Sequence, residues 1–250
     1  MPLQAIETQR LYRQIAGQLR ALIAQGEFVQ GQRLPAERDL ALALGVSRPT
    51  VREALIALEV EGVIEVRTGS GIYVCPPPTT ARPGPKGKTP QRKVHKSASD
   101  WGPLEVLSAR LLVESEVAAL AAAQASRSQL NAMAAALKQM QQEATRGEVP
   151  RNGDHAFHVA IAQACGNGVL TETVQHYWSV RDSTLFKRFG DYFENPVTWQ
   201  QAIDEHERIY QALRAHDVSA ARRAMQHHLR QAHKRFSASW RSTPLSHQPT

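Results

Sequence analysis

Residues 31–74 read GQRLPAERDLALALGVSRPTVREALIALEVEGVIEVRTGSGIYV, and this stretch decides the fold of the first part of the chain. Apolar residues recur at helical spacing before Gly45 and again over 51–58, which predicts two short helices joined by a tight turn. Segments 63–67 and 72–74 are rich in β-branched residues and flank a glycine-containing turn, so they predict a β-hairpin.

A further amphipathic helix precedes this stretch, because its apolar residues share one helical stripe: Leu11, Ile15, Leu19, Leu22 and Ile23. Three helices followed by a hairpin predict a winged helix-turn-helix within residues 1–74. The alternative is a small helical subdomain in which the arginines of the third helix are ordinary surface residues.

The polar face of the third helix carries side chains that suit DNA. Arg48 and Arg52 are four residues apart, so we expect them on one side of the helix. Arginine can bind a guanine edge or a phosphate through two hydrogen bonds. Ser47 and Thr50 lie near the helix N-terminus, where hydroxyl groups and the helix dipole favour phosphate.

Residues 31–74 as a whole resemble the DNA-binding domain of the GntR family of bacterial regulators. The resemblance implies that the third helix and the tip of the hairpin contact an operator in double-stranded DNA. It carries a DNA-contacting role over to seven positions of this chain: Arg38, Ser47, Arg48, Thr50, Arg52, Thr68 and Gly69.

The net charge of the chain does not locate its DNA-binding part. The formal charge is +7, yet residues 1–74 hold as many acidic as basic residues, whereas 75–99 hold six basic residues and no acidic one. Neutrality of the first segment argues against a nucleoid-type architectural protein that binds DNA through bulk positive charge. Segment 75–99 is rich in Pro, Gly, Lys and Ser and predicts a linker, whose basic residues could also contact phosphates.

The composition predicts a globular protein of the cytoplasm. Hydrophobic residues make up 42% of the chain, which is ordinary for such proteins. No apolar run reaches the roughly 18 residues of a membrane span, so we expect no membrane partner. Cys75 and Cys165 fit no metal or redox spacing, which favours a reducing compartment.

The remainder of the chain has the apolar spacing of helices throughout. Residues 100–239 therefore predict an all-helical domain, and 240–250 a disordered tail, so that the chain as a whole is mainly α. One long helix runs to Ala123, and further helices are expected at 128–145, 153–165, 168–188, 198–216 and 218–239.

Several side chains in this helical domain could bind a metal. Asp154 and His158 are four residues apart, which places a carboxylate and an imidazole on one helix face. His206 lies in a further helix, and in the last helix His228 has apolar neighbours at helical spacing whereas His227 has polar ones. The alternatives are a surface hydrogen bond for the Asp–His pair and a satisfied core histidine in the last helix.

Residues 103–236 resemble the FadR-type C-terminal domain (FCD domain) of the GntR family, an antiparallel helical bundle. The matching segments read LSARLLVESEVAALAA, DHAFHVAIAQACGN, EHERIYQALRAHD and ARRAMQHHL. In many members of this class an Asp and three His hold a divalent metal, and the corresponding residues here are Asp154, His158, His206 and His228. Such a donor set suits Zn, Ni or Mn and leaves coordination positions open.

The same resemblance implies that the helical domain binds an effector. The segments GPLEVLSARLLVES and YWSVRD are most similar to the hexuronate- and aldonate-responsive branch, which implies a small carboxylate such as a sugar acid. Arg110 could pair with the ligand carboxylate through two hydrogen bonds. Arg181 and Asn167 are further candidates, for which the alternatives are a helix surface and a helix cap.

We therefore expect a homodimeric transcription regulator that binds a palindromic operator and acts as a repressor relieved by its effector. An activator, or a sensor of another organic acid, is the alternative within this fold. A metal-dependent hydrolase fused to a DNA reader is the alternative outside it. We expect no enzymatic activity, because no Glu or His is recognisably placed as a general base.

Overall fold

The computed structural model describes residues 10–76 and 101–238. The chain divides into two compact units, Met1–Gly102 and Pro103–Thr250. The predicted linker beyond Pro76 and the predicted C-terminal tail lie outside the described residues. None of the described helices combines the length and the apolar character that a membrane crossing requires.

Three helices and a two-stranded antiparallel sheet form the described part of the first unit, which confirms the predicted winged helix-turn-helix. The elements are α1 (Leu11–Ala24), α2 (Glu37–Leu44), α3 (Arg48–Val60), β1 (Ile64–Arg67) and β2 (Gly71–Val74). The register of the hairpin places Ile64 opposite Val74 and Arg67 opposite Gly71.

The turn between α2 and α3 shows why one apolar run becomes two helices. Gly45 has a φ of +65°, a left-handed conformation that glycine adopts without strain, and its N–H donates to the carbonyl of Leu42. The Ser47 hydroxyl then accepts a hydrogen bond from the Thr50 N–H and caps the start of α3. The predicted tight turn and cap are therefore both present.

The core of the first unit is the apolar stripe of α3, whose side chains are fully buried: Val51, Ala54, Leu55 and Leu58. Helix α1 packs against α3 and buries Ile15 and Leu19. Leu11, predicted on the buried stripe of α1, is instead 51% exposed. The buried face passes through Tyr12, one residue further along, so Leu11 lies at the edge of the contact.

Seven helices form the described part of the second unit, as the sequence predicted for an all-helical domain. They are α4 (Pro103–Gln124), α5 (Arg127–Thr145), α6 (Arg151–Ala164), α7 (Gly168–Arg181), α8 (Thr184–Phe193), α9 (Pro196–Arg214) and α10 (Val218–Phe236). Helix α10 packs mainly on α4 and α9, and α5 packs on α6 and α9. The interior of this bundle holds the site described below.

The predicted helix 168–188 is in fact two helices. Helix α7 ends at Arg181, and Ser183 starts α8 by accepting a hydrogen bond from the Phe186 N–H. The apolar pattern continues across the break, and α8 buries Phe186, Phe189 and Phe193. Periodicity alone therefore did not reveal that a capping serine interrupts the helix.

Candidate nucleic-acid interface and candidate metal centre

One carboxylate at the start of α2 organises the polar face of α3. Glu37 Oε1 accepts hydrogen bonds from Arg48 Nε at 2.9 Å and from Arg52 Nη2 at 2.7 Å. Its other oxygen, Oε2, accepts from Arg52 Nε at 2.9 Å. The Arg52 side chain is only 2% exposed, whereas that of Arg48 is 50% exposed.

The burial of Arg52 corrects the expectation that it lies on the exposed face beside Arg48. Its guanidinium faces Glu37, whose two-point hydrogen bonding offsets part of the cost of burying the charge. Arg52 thus joins α3 to α2, and Arg48 is the one of the two arginines that reaches solvent.

The other side chains predicted to contact DNA lie wholly or partly at the surface. Arg38 is 82% exposed, and Ser47 is exposed at the N-terminus of α3 with its hydroxyl 2.7 Å from that of Thr50. At the hairpin tip Thr68 is partly exposed, and Gly69 is exposed with a φ of +79°. These groups leave donors accessible at the surface of the first unit.

Four side chains from three helices converge in the second unit, and we call them the Asp/His cluster. Asp154 and His158 come from α6, His206 from α9 and His228 from α10. One possible ligand atom of each lies within 4.8 Å of the others, and the three histidines are buried. His227 is exposed, so the prediction that His228 faces the core is confirmed.

The inner atoms of the Asp/His cluster approach one another closely. His158 Nε2 lies 3.1 Å from His206 Nε2, and Asp154 Oδ1 lies 3.0 Å from that same His206 atom. Asp154 Oδ1 is buried, yet its geometry gives it no hydrogen bond within the described part of the chain. An acceptor oxygen left unsatisfied beside imidazole nitrogens suits a cation held between them.

The outer ring nitrogen of each histidine faces an oxygen atom, so Nε2 is the atom turned toward the Asp/His cluster. This arrangement is common for metal ligands, because the outer partner fixes the tautomer and the ring orientation. The outer contacts are His158 Nδ1 with Glu114 Oε2 at 2.5 Å, His206 Nδ1 with the Ala202 carbonyl at 2.6 Å, and His228 Nδ1 with Glu205 Oε2 at 2.8 Å.

The electrostatics of the Asp/His cluster favour the protonation states that a metal requires at Asp154 and His228. Burial would raise the pKa of Asp154, but the Arg181 guanidinium together with the His158 and His206 side chains outweighs it and holds that pKa well below its usual range. Burial lowers the pKa of His228 to about 3, so its ring is neutral at pH 7. Burial also opposes charge on His158, but the Glu114 and Asp154 carboxylates together outweigh it and raise the pKa, so this ring holds a proton more readily and a bound metal would displace that proton.

Replacing Glu205 by glutamine should weaken metal binding by about tenfold to a hundredfold, because His228 loses the carboxylate that orients it. The measurement is a competition titration of the purified chain against a metal-binding dye. Asp204→Asn is the matched control, since Asp204 precedes it on α9 and is exposed. Equal metal affinity in Glu205→Gln and in Asp204→Asn would show that Glu205 has no orienting role.

A cavity of about 70 Å³ opens beside the Asp/His cluster, and Asp154 and His228 form part of its wall. At about 10–15 Å³ for each water held, this space accommodates a small polar molecule. Glu194 and Trp199 also line the cavity, together with four arginines: Arg110, Arg151, Arg181 and Arg235. The positive side chains make the cavity suited to an anion.

Two of the three predicted effector contacts lie in this cavity wall. Arg110 is buried, and its Nε donates to Glu114 Oε1 at 2.5 Å. Arg181 Nη1 donates to Asp154 Oδ2 at 2.9 Å. Both guanidiniums lie over the ring of Trp178, at 4.6 Å and 4.3 Å from its centroid, so the tryptophan helps to position the two cations.

The third predicted contact, Asn167, does not line this cavity. Its side-chain oxygen accepts hydrogen bonds from the N–H groups of Val169 and Leu170, which makes it the N-cap of α7. The residue is exposed. The helix-cap alternative is therefore the one that the structure supports.

Three carboxylates of the site were not anticipated from the sequence. Glu114 on α4 contacts His158 on α6, and Glu205 on α9 contacts His228 on α10, so neither pairing has a local sequence signal. Glu194 has no such signal either, because its place depends on the break between α7 and α8.

Both units match known protein families. Residues 11–74 match the family described as "Bacterial regulatory proteins, gntR family", and residues 105–231 match the "FCD domain" family. The "Uxu operon transcriptional regulator" of Escherichia coli (strain K12) is 35% identical, covering 93% of this chain and 89% of the relative. The "Exu regulon transcriptional regulator" of the same strain is also 35% identical, covering 91% and 84%. The "Uxu operon regulator" of Haemophilus influenzae is 32% identical, covering 88% and 79%.

Proposed function

The chain belongs to the GntR family of bacterial transcription regulators, with an FCD domain following its DNA-binding module, and we propose that it senses a sugar acid at a divalent metal held by the Asp/His cluster. The metal of this proposal is Zn, Ni or Mn, which accept imidazole and carboxylate ligands together. Its effector is a small hydroxylated carboxylate that enters the arginine-lined cavity.

The observation that carries the proposal is that the outer atoms of the Asp/His cluster contact neighbouring groups, whereas Asp154 Oδ1 inside it has no hydrogen bond within the described part of the chain. His206 and His228 have hydrogen-bond partners at Nδ1, and His158 Nδ1 lies 2.5 Å from Glu114 Oε2. Asp154 has one oxygen on Arg181 and the other without a hydrogen bond in the described residues. A buried polar group without a partner is costly, so this arrangement is better explained by a bound cation than by packing alone. The bound metal would offer open positions to oxygen atoms of a ligand.

The side chains around the cavity would orient the effector. Arg151 and Arg235 are partly exposed guanidiniums in its wall and can attract a ligand carboxylate. Arg181 is held by Asp154 and Trp178, so it can hydrogen-bond a ligand without reorganising. Relatives named for the Uxu operon and the Exu regulon support the sugar-acid class, which the hexuronate- and aldonate-like segments indicate.

The experiment that tests this proposal combines metal analysis with ligand screening. Purified full-length chain is analysed for bound Zn, Ni and Mn, and its melting temperature is then measured with hexuronates, aldonates and short hydroxy acids. We expect about one metal ion per chain and an increase of the melting temperature with at least one sugar acid, an increase that disappears after chelation. A chain that retains no divalent metal at neutral pH would contradict the proposal.

We further propose that the chain acts as a homodimer on a palindromic operator, each winged helix-turn-helix reading one half-site. Effector binding then favours an arrangement of the two DNA-binding modules that no longer fits the operator, so that repression is relieved. In this proposal Arg38, Arg48, Ser47 and Thr50 contact DNA directly, with the hairpin tip, whereas Arg52 positions α3 through Glu37.

Arg48→Ala should weaken specific DNA binding by about 1–3 kcal/mol, which is about fivefold to 150-fold, because an exposed guanidinium that can read a base or phosphate is lost. The fold should persist, since Arg52 remains on Glu37. The measurement is a binding titration with a duplex that the wild-type chain has selected from a random pool. Arg146→Ala removes an exposed arginine of the second unit and serves as the control; equal affinity in both variants would refute the role of Arg48.

A further inference from the structure

Glu194 follows α8, and its carboxylate lines the cavity without being saturated by its neighbours. Oε1 lies 3.8 Å from Arg181 Nη2, and Oε2 lies 4.0 Å from Arg151 Nη2, which are ion-pair distances but too long for hydrogen bonds. Within the described residues Oε2 is buried and has no hydrogen-bond partner. An acceptor is therefore available in the cavity beyond the Asp/His cluster.

Trp199 supplies an unsatisfied donor to the same cavity. Its Nε1–H is buried and has no hydrogen-bond partner in the described ranges of the chain. The indole lies in the first turn of α9, five residues after Glu194, and both side chains belong to the cavity wall. Buried indole N–H groups usually find a partner, so this one marks a place for a polar atom.

Gly190 provides the space that the carboxylate occupies. A Cβ at this position of α8 would lie 2.9 Å from Glu194 Oε2, so the carboxylate would have to shift, whereas Arg151 Nη2 at 3.4 Å would be in ordinary contact. The carboxylate in its present position thus lies against the backbone of α8.

We propose that Glu194 and Trp199 form a subsite that reads ligand hydroxyl groups and selects polyhydroxylated acids over short hydroxy acids. This inference deepens the proposed function and rests on it. An acceptor and a donor together match an alcohol, which can both donate and accept. The carboxylate also repels the acidic end of a ligand, so that the acid group is directed to the metal and the arginines. A short acid leaves both buried groups without partners and gains nothing from them.

The alternative is that Glu194 acts only through its charge. Its removal would then leave Arg151 and Arg181 less compensated and would tighten the binding of every anion. The subsite predicts a different pattern, in which a polyhydroxylated acid binds more weakly and a short acid binds equally well or more tightly. The ratio of the two affinities therefore separates the two roles.

The experiment uses metal-loaded, full-length chain and isothermal titration with D-gluconate, D-glucuronate, D-galacturonate and L-lactate. D-gluconate and L-lactate share an α-hydroxy carboxylate end, but only gluconate continues as a hydroxylated chain. We expect Glu194→Gln to raise the Kd of the tightest-binding sugar acid by about tenfold to a hundredfold while the Kd of L-lactate stays the same or falls. Trp199→Phe removes the N–H donor together with part of the ring and should reduce the same preference.

Asp191→Asn is the control, because Asp191 lies on α8 and is exposed. Metal content and melting temperature are compared across the variants, and equal values show that the substitutions change ligand recognition alone. If Glu194→Gln does not fold, Trp199→Phe still tests the subsite. An unchanged ratio of affinities in both variants would overturn the subsite and leave the proposed function standing. A wild-type chain that binds metal but none of the sugar acids would instead overturn both.

Discussion

His206→Ala should abolish metal retention by the chain. His206 is fully buried, and its Nε2 is the atom closest to both His158 Nε2 and Asp154 Oδ1, so the cluster loses its central donor. Loss of an outer partner alone weakens metal sites by about tenfold to a hundredfold, and removal of a ligand should exceed that. Metal content after exhaustive dialysis, measured by elemental analysis, reports the effect directly.

The control for this variant is His227→Ala, which removes an exposed histidine from α10 beside His228. It should retain the metal content of the wild-type chain. DNA binding by the metal-free His206→Ala chain should match that of chelated wild-type chain, because the substitution lies outside the DNA-binding unit. Full metal occupancy in His206→Ala would refute the Asp/His cluster as the metal site.

The same variant should also lose stabilisation by added metal. At a free metal concentration a hundredfold above the Kd, binding stabilises the wild-type fold by about 2.7 kcal/mol. The melting temperature of the wild-type second unit should therefore rise with metal, and that of His206→Ala should not. The wild-type chain and His206→Ala can differ in stability even without metal. The melting temperature of each protein with metal is therefore compared with that of the same protein after chelation.

Glu114→Ala should destabilise the second unit by about 3–5 kcal/mol, because it leaves the guanidinium of Arg110 buried without its carboxylate. Arg110 and Glu114 are each only 2% exposed, so water cannot replace the lost partner. The measurement is urea unfolding of the chelated protein, which separates this structural effect from any change in metal affinity.

Two variants define the origin of that loss. Combining Arg110→Met with Glu114→Ala removes the unpaired charge and should recover most of the stability. Glu116 lies on α4 like Glu114 and forms an exposed ion pair with Arg222 of α10. Glu116→Ala breaks that pair and should change stability little. If Glu114→Ala were no more destabilising than Glu116→Ala, the buried pair would not be a stability element.

The helical and hairpin elements of the first unit could be predicted because their signals are local. Gly45 ends α2 and Ser47 starts α3, and each acts through backbone groups within a few residues. The choice of His228 over His227 was equally local, since it needed only the apolar neighbours on one helix. Features that depend on short-range chemistry are therefore well represented in the sequence.

The placement of Arg52 could not be predicted in this way. Its burial depends on Glu37, which lies fifteen positions earlier and meets it only when α2 packs on α3. Likewise, the outer partner Glu114 reaches His158 from a different helix. Periodicity assigns a residue to a face but does not say whether a buried charge will find a partner there.

Sharing of Glu37 between two arginines bears on how this module could evolve. Arg48 can leave Glu37 without stranding a buried charge, because Arg52 still neutralises the carboxylate. Position 48 is thus free to change its side chain while the scaffold remains intact. Glutamine or asparagine there could shift preference from guanine toward adenine. If Arg48 contacts the operator as proposed, the residues that stabilise the module differ from the one that recognises DNA, so operator preference can change among duplicated copies without loss of folding.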